Sequence, residues 1–265
     1  MGTKLAIAGK GGVGKTTLTV ALARRWVELH RSVIVVDADP DGNLASALGV
    51  RADAFPEPIA GMRDLILERT GATDQAGGLL FTLNPKVDDL PDRFSVQAGG
   101  VRLLVLGTVE WGGKGCMCPE GAVLKALLQH LLLRVPDHVL LDMEAGLEHM
   151  GRASARGVDA MITVVEPGMR SVQTAKRIQS LAEGVGIERL FVVLNKLREP
   201  REEETLRGAL AGQTVLGGLP FSRELASADL EGRPVALKDS AFAEALDHIA
   251  QALEMALGGR PAAVG

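Results

Sequence analysis

The chain has 265 residues, with 29 Lys plus Arg against 33 Asp plus Glu, a net charge of −4 and 46% hydrophobic residues. That apolar content excludes a disordered chain, and 32 glycines without a triplet period exclude a collagen-like one. A 3% aromatic fraction with no Tyr, together with the acidic balance, argues against stacking platforms and broad phosphate-backbone surfaces, so no nucleic-acid partner is expected.

Short aliphatic runs with little alternation, the pattern of strands covered on both faces, occur at Lys4 to Ala8, Val33 to Val36, Val101 to Leu106, His138 to Leu141, Ala160 to Val165, Leu190 to Leu194 and Thr214 to Leu216. Helical patterns lie between most of them: Thr16 to Leu29, the Leu-rich Val123 to Leu133, Val172 to Glu183 and Phe242 to Leu257. This alternation predicts an α/β fold, a mostly parallel sheet of about seven or eight strands with helices on both faces. Residues 1–258 read as one domain and 259–265 as a frayed tail. Residues 50–100, with Pro56, Pro58, Pro85 and Pro91, read as an irregular insertion with a hairpin pairing Leu79 to Leu83 with Phe94 to Gln97. No apolar run reaches the roughly 18 residues that cross a bilayer. Met1-Gly2-Thr3-Lys4 enters a strand-like run without a secretory h-region, so a cytoplasmic protein without membrane attachment is expected.

Chemistry begins at the first strand. Gly9-Lys10-Gly11-Gly12-Val13-Gly14-Lys15-Thr16 fits G-x-x-x-x-G-K-[ST] between a strand and a helix, the arrangement of a P-loop NTPase. Successive backbone N–H groups of Gly11, Gly12, Val13, Gly14, Lys15, Thr16 and Thr17 turn toward one anion, and the helix N-terminus adds partial positive charge. Lys15 is expected to reach the β- and γ-phosphates and Thr16 to ligate Mg²⁺. The second strand ends in Asp37-Ala38-Asp39-Pro40-Asp41-Gly42, carboxylates where an open α/β sheet binds ligands, although the same residues also suit a turn. Val139-Leu140-Leu141-Asp142 has the Walker B pattern, with Asp142 set to hold a Mg²⁺-bound water, and Asp142-Met143-Glu144-Ala145-Gly146 reads D-x-x-x-G, with Gly146 as a hinge near the γ-phosphate. Leu197 and Arg198 follow Lys196 where a guanine-reading N-K-x-D motif needs its Asp, which favours adenine.

Cys116 and Cys118 are the only cysteines, too close in sequence to staple the fold. Placed ahead of Pro119 and a helix N-terminus, they have the setting of thiolates with lowered pKa that bind metal. Two thiolates leave a four-coordinate site half filled; a symmetric dimer makes four, suiting Zn²⁺ as a tetrahedron or Ni²⁺ as a square plane.

Lys10 to Thr17, with its second lysine, resembles the deviant Walker A loop of the nitrogenase iron protein, MinD, ParA and arsenite-pump ATPases. The resemblance implies that Lys10 crosses a dimer interface to the partner's nucleotide, that Asp39 in D-x-D-P lies near Mg²⁺ and the attacking water, and that Asn195 hydrogen-bonds adenine. Asn84 to Pro91, Cys116-Met117-Cys118 and Asp142 to His149 add a narrower resemblance, to the CooC-type nickel-insertion ATPases that mature carbon monoxide dehydrogenase. It implies an ATP-hydrolysing metallochaperone. Such a protein forms a homodimer with ATP, carries Ni²⁺ or Zn²⁺ on Cys116 and Cys118 across the dimer, and has carbon monoxide dehydrogenase as client. Two other classes compete. An iron–sulfur electron-transfer ATPase resembling the nitrogenase iron protein also uses two cysteines per subunit, but well separated in sequence. A ParA- or MinD-like partitioning ATPase meets an acidic last helix, with Asp239, Glu244, Asp247 and Glu254 and no Lys or Arg between Ser240 and Gly259, a poor anchor for anionic lipid.

Overall fold

The computed structural model describes residues 1–40, 42–72, 80–107, 118–145 and 152–258. In chain order the elements are β1 (Lys4–Gly9), α1 (Lys15–Glu28), β2 (Val33–Ala38), α2 (Leu44–Leu48), α3 (Arg63–Thr70), α4 (Leu90–Phe94), β3 (Val96–Ala98), β4 (Val101–Val105), α5 (Pro119–Leu133), β5 (His138–Met143), α6 (Arg152–Ala155), β6 (Ala160–Val165), α7 (Met169–Val185), β7 (Leu190–Leu197), α8 (Pro200–Ala209), β8 (Thr214–Pro220), α9 (Arg223–Leu230) and α10 (Ser240–Ala256). They form one eight-stranded sheet in the order β3-β4-β2-β5-β1-β6-β7-β8. Every pairing is parallel except β3 with β4.

The aliphatic strands read as they do because both faces are covered. Successive residues of a strand point to opposite faces. In β1, Leu5 and Ile7 join one core with Leu18, Leu22 and Trp26 of α1 and Phe242, Leu246, Ile249 and Leu253 of α10. Ala6 and Ala8 join the other, with Val123, Leu127 and Leu131 of α5 and Ile178 and Ala182 of α7. The central strands therefore have no solvent face to carry polar residues. Local signals set the helix ends: Asp239 caps α10 by accepting from the Phe242 N–H at 3.3 Å, and α8 starts at Pro200 with a reciprocal capping box between Glu199 and Glu202.

The expected hairpin in residues 50–100 differs. Residues 80–83 carry no strand. Val96–Ala98 instead turns back through Gly99 and Gly100, both at positive φ (59° and 82°), and pairs antiparallel with β4. Two consecutive left-handed residues are what a tight hairpin turn demands, and Gly-Gly meets that without steric cost. The nearer partner wins because a two-residue loop costs little closure entropy.

Parallel strands place all their carboxyl ends on one edge, and ligands in open α/β sheets bind there. Among the described residues, no helix is long and apolar enough to cross a membrane.

Candidate nucleotide site

The loop between β1 and α1 opens at that carboxyl edge. Gly12 and Gly14 sit at positive φ, 77° and 96°, which lets the peptide units between Gly11 and Lys15 aim their N–H groups at one point. Gly14 also leaves no room for a side chain: a Cβ there would run into Asn195 Nδ2. Turning the N–H groups inward leaves loop carbonyls facing away from the anion, and β7 satisfies two of them. Asn195 Nδ2 donates to the Val13 carbonyl at 2.8 Å, and Lys196 Nζ donates to the Gly12 carbonyl. Asn195 Oδ1 accepts from the Lys196 N–H at 2.9 Å, so both ends of this 5% exposed amide are held by backbone.

Three carboxylates converge beside the loop. Lys15, at 7% exposure, pairs with Asp39 at 3.3 Å. Thr16 Oγ1 donates to Asp142 Oδ2 at 2.7 Å. Asp37 and Asp142 are register partners on β2 and β5. Burial pushes the Asp142 carboxyl up to about 7, an effect that Asp37 and Asp39 reinforce and the Thr16 bond and Lys15 oppose. Burial likewise pushes Asp37 up to about 6. Asp37 has its own work: its oxygens accept from the Asp39 and Leu44 N–H groups at 3.2 and 3.1 Å, bracing the turn that carries Asp39. Asp142 Oδ1 is buried with no hydrogen-bond partner. An orphaned oxygen beside a threonine hydroxyl fits the few protein donors of a hard divalent cation that keeps most of its own waters.

The loop, Asp39 and Lys196 line a cavity of about 440 Å³ that continues past Phe221, Leu225 and Arg233. Phe221, the residue after β8, is covered by the Arg198 guanidinium 4.1 Å from its ring centroid. Pro220 and Phe221 thus stand on the same cavity as the phosphate loop.

Residues 4–235 match the family model of the CobQ/CobB/MinD/ParA nucleotide binding domain. The chain is 44% identical over 231 residues to the carbon monoxide dehydrogenase accessory protein CooC of Rhodospirillum rubrum, covering 86% of this chain and 88% of that one. This chain belongs to the CooC-type branch of the CobQ/CobB/MinD/ParA family. It is an ATPase of that family. An ATP-binding protein of Methanocaldococcus jannaschii is 43% identical over 91% of this chain and 94% of its own. The fold is shared with MinD of Aquifex aeolicus in its complex with MinC, at a TM-score of 0.67 and 20% identity over 96% of each chain.

Around the CooC-type loop lie residues that motif reading passed over. Lys10 reaches Glu166 of its own chain at 3.9 Å, and Glu166 also pairs with Lys196 at 3.1 Å. Lys196 is one of two non-glycine residues at positive φ among those described (59°), a strained backbone beside the loop it supports. Nothing in the sequence marks Glu166; it belongs to no motif and is placed by the pairing of β6 with β1, where Val164 stands opposite Gly9. Cys118 is the N-cap of α5, its Sγ accepting from the Gly121 N–H at 3.3 Å. The last residue of α5, Leu133, lies five residues before β5 begins at the amino edge of the sheet, so its N-terminus and Cys118 point to the carboxyl edge, as the phosphate loop does. Asp41, Cys116, Gly146 and His149 lie outside the described residues. Among the described residues no three His, Cys, Asp or Glu side chains group to hold a metal.

Proposed function

We propose that this ATPase is a Mg²⁺-dependent metallochaperone that dimerises with ATP and assists nickel insertion into carbon monoxide dehydrogenase. The observation that carries the reading is the 44% identity to the CooC protein over most of both chains, joined to the Cys116-Met117-Cys118 sequence ahead of α5. Support for the nucleotide chemistry comes from the loop geometry. Thr16 and Asp142 would hold Mg²⁺, directly and through a bound water. Held there, Mg²⁺ would supply charge withdrawal from the phosphate oxygens. Lys15 neutralises the same phosphates from within the chain, and Asp39, 3.3 Å from Lys15 Nζ, orients the attacking water. MinD of Pyrococcus horikoshii, a fold neighbour at 20% identity, was solved with Mg-ADP, in keeping with this assignment.

The metal carried on the cysteines is Ni²⁺ or Zn²⁺. Cys116 and Cys118 of two chains supply four thiolates, a set suited to either. Cys118 and the phosphate loop share the carboxyl edge of the sheet, so closing two such edges on each other would bring both cysteine pairs and both nucleotides to one interface. Lys10 then reaches the partner's nucleotide and ties closure to the γ-phosphate, and hydrolysis loosens the dimer.

The test is anaerobic titration of reduced protein with Ni²⁺ and Zn²⁺, with stoichiometry by elemental analysis. One ion per dimer is expected, with affinity falling steeply in Cys116→Ser or Cys118→Ser and as pH drops. One ion per monomer, or tight binding by the double Cys→Ser variant, defeats the interfacial site.

A further inference from the structure

Glu166 holds two cations of the phosphate-loop region at once. Its Oε2 pairs with Lys196 Nζ at 3.1 Å, and Lys196 in turn donates to the Gly12 carbonyl. Its Oε1 lies 3.9 Å from Lys10 Nζ. The backbone of Glu166 is anchored as well: its N–H donates to Ser171 Oγ at 3.1 Å, and Ser171 is 3% exposed near the start of α7. Glu166 is thus braced by Lys196 and by its own backbone, whereas Lys10, with 43% of its side chain exposed, is the more solvent-facing partner on a long stem.

We infer that Glu166 is a positioning residue that parks Lys10 on its own subunit and so restrains ATP-dependent dimer closure. The inference rests on the reading that Lys10 acts across a dimer. A lysine cannot serve its own chain's Glu166 and a partner's triphosphate together, so the in-cis pair competes with the in-trans contact. The contest is set low on purpose by exposure: a partly exposed ion pair is worth at most about 1 kcal/mol. The several negative charges of ATP win it, and the lower charge of ADP wins it less. Where the nucleotide draws Lys10 across, closure bears the cost of breaking the pair; where Lys10 stays parked, it does not. Lys196 makes the restraint specific to Lys10: it keeps Glu166 in place through a second pair, and its bond to Gly12 does not depend on where Lys10 points.

The test compares four proteins: wild type, Glu166→Gln, Lys10→Ala and the double variant. Dimer dissociation constants are measured by analytical ultracentrifugation with Mg²⁺ and either a non-hydrolysable ATP analogue or ADP. Gln preserves size and leaves the backbone bond to Ser171, so the fold is retained, which circular dichroism checks. Glu166→Gln is expected to tighten dimerisation with the ATP analogue about two- to fivefold, the range that an exposed ion pair allows, and by a smaller factor with ADP, whose weaker pull leaves Lys10 on Glu166. The gain is expected to vanish in the Lys10→Ala background. Unchanged or weakened dimerisation in Glu166→Gln overturns the brake, and so does an equal gain with and without Lys10. If Lys10→Ala dimerises as wild type, the trans role of Lys10 fails instead; if Lys10→Ala weakens the dimer while Glu166→Gln changes nothing, only the brake fails.

Discussion

Asn195→Ala separates two roles for one side chain. By resemblance to the deviant Walker A class, Asn195 reads adenine; in the structure its amide bonds the Val13 carbonyl at 2.8 Å and the Lys196 N–H at 2.9 Å. Truncation removes both partners at a site that is 5% exposed, where water replaces them poorly. Each buried backbone group left unsatisfied costs about 1–3 kcal/mol, so a loss of roughly 2–4 kcal/mol in unfolding free energy is expected, allowing for partial relaxation. The loop would also lose the donor that holds Val13 with its carbonyl outward. The phosphate cradle would then loosen irrespective of the base. ATP and GTP affinities, measured by calorimetry alongside urea unfolding, should fall together and by a similar factor. A variant of unchanged stability that loses ATP affinity selectively would refute the bracing argument and favour base recognition.

Lys15→Ala should lower ATP turnover by at least about 100-fold while leaving the chain folded, since it removes electrostatic stabilisation of the transferring phosphoryl group and little core; phosphate release and near-ultraviolet dichroism check the two halves, and near-normal turnover would contradict the loop assignment. At the opposite edge of the sheet, burial, with help from Arg31 and Lys4, holds the His138 imidazole down at about 4, and its Nδ1 accepts from the Thr3 N–H at 3.0 Å, a bond only the unprotonated nitrogen can make. The folded state therefore takes up this proton later than the unfolded chain does. Stability should be unaffected well above about pH 6.5 and fall as pH drops toward 4, by roughly 1–2 kcal/mol from this half-buried group once solvent screening is allowed for. His138→Gln retains an acceptor without titrating and should flatten that part of the acid limb in urea midpoints; an unchanged slope would show that His138 does not drive it. Cys118→Ser should remove tight metal binding yet leave ATP turnover measurable, because the phosphate groups are held by other loops.

The amino-acid sequence alone determined the architecture here, because its signals are local or periodic. Unbroken short aliphatic runs such as Ile34 to Val36, bounded by turn signals, read as strands buried on both sides, and Gly11 to Gly14 ahead of Lys15-Thr16 reads as a loop that exposes backbone N–H groups to an anion. Asp142 was legible for the same reason: a carboxylate ending a buried strand has few other uses. The weaker readings failed or fell short where the partner is distant. Val96–Ala98 chose β4 over residues 80–83 because Gly99-Gly100 made the short turn possible, a contest of loop lengths that strand composition does not express. Asn195 could be named from its motif, but not its bond to Val13 across 182 residues of chain. Glu166 had no sequence signature at all. Its significance arises because β6 lies beside β1 and β7 beside β6, which sets the residue after β6 between Lys10 and Lys196. Covalent neighbours select the elements; only the packed sheet decides which charges, drawn from three different strand ends, come within reach of one another.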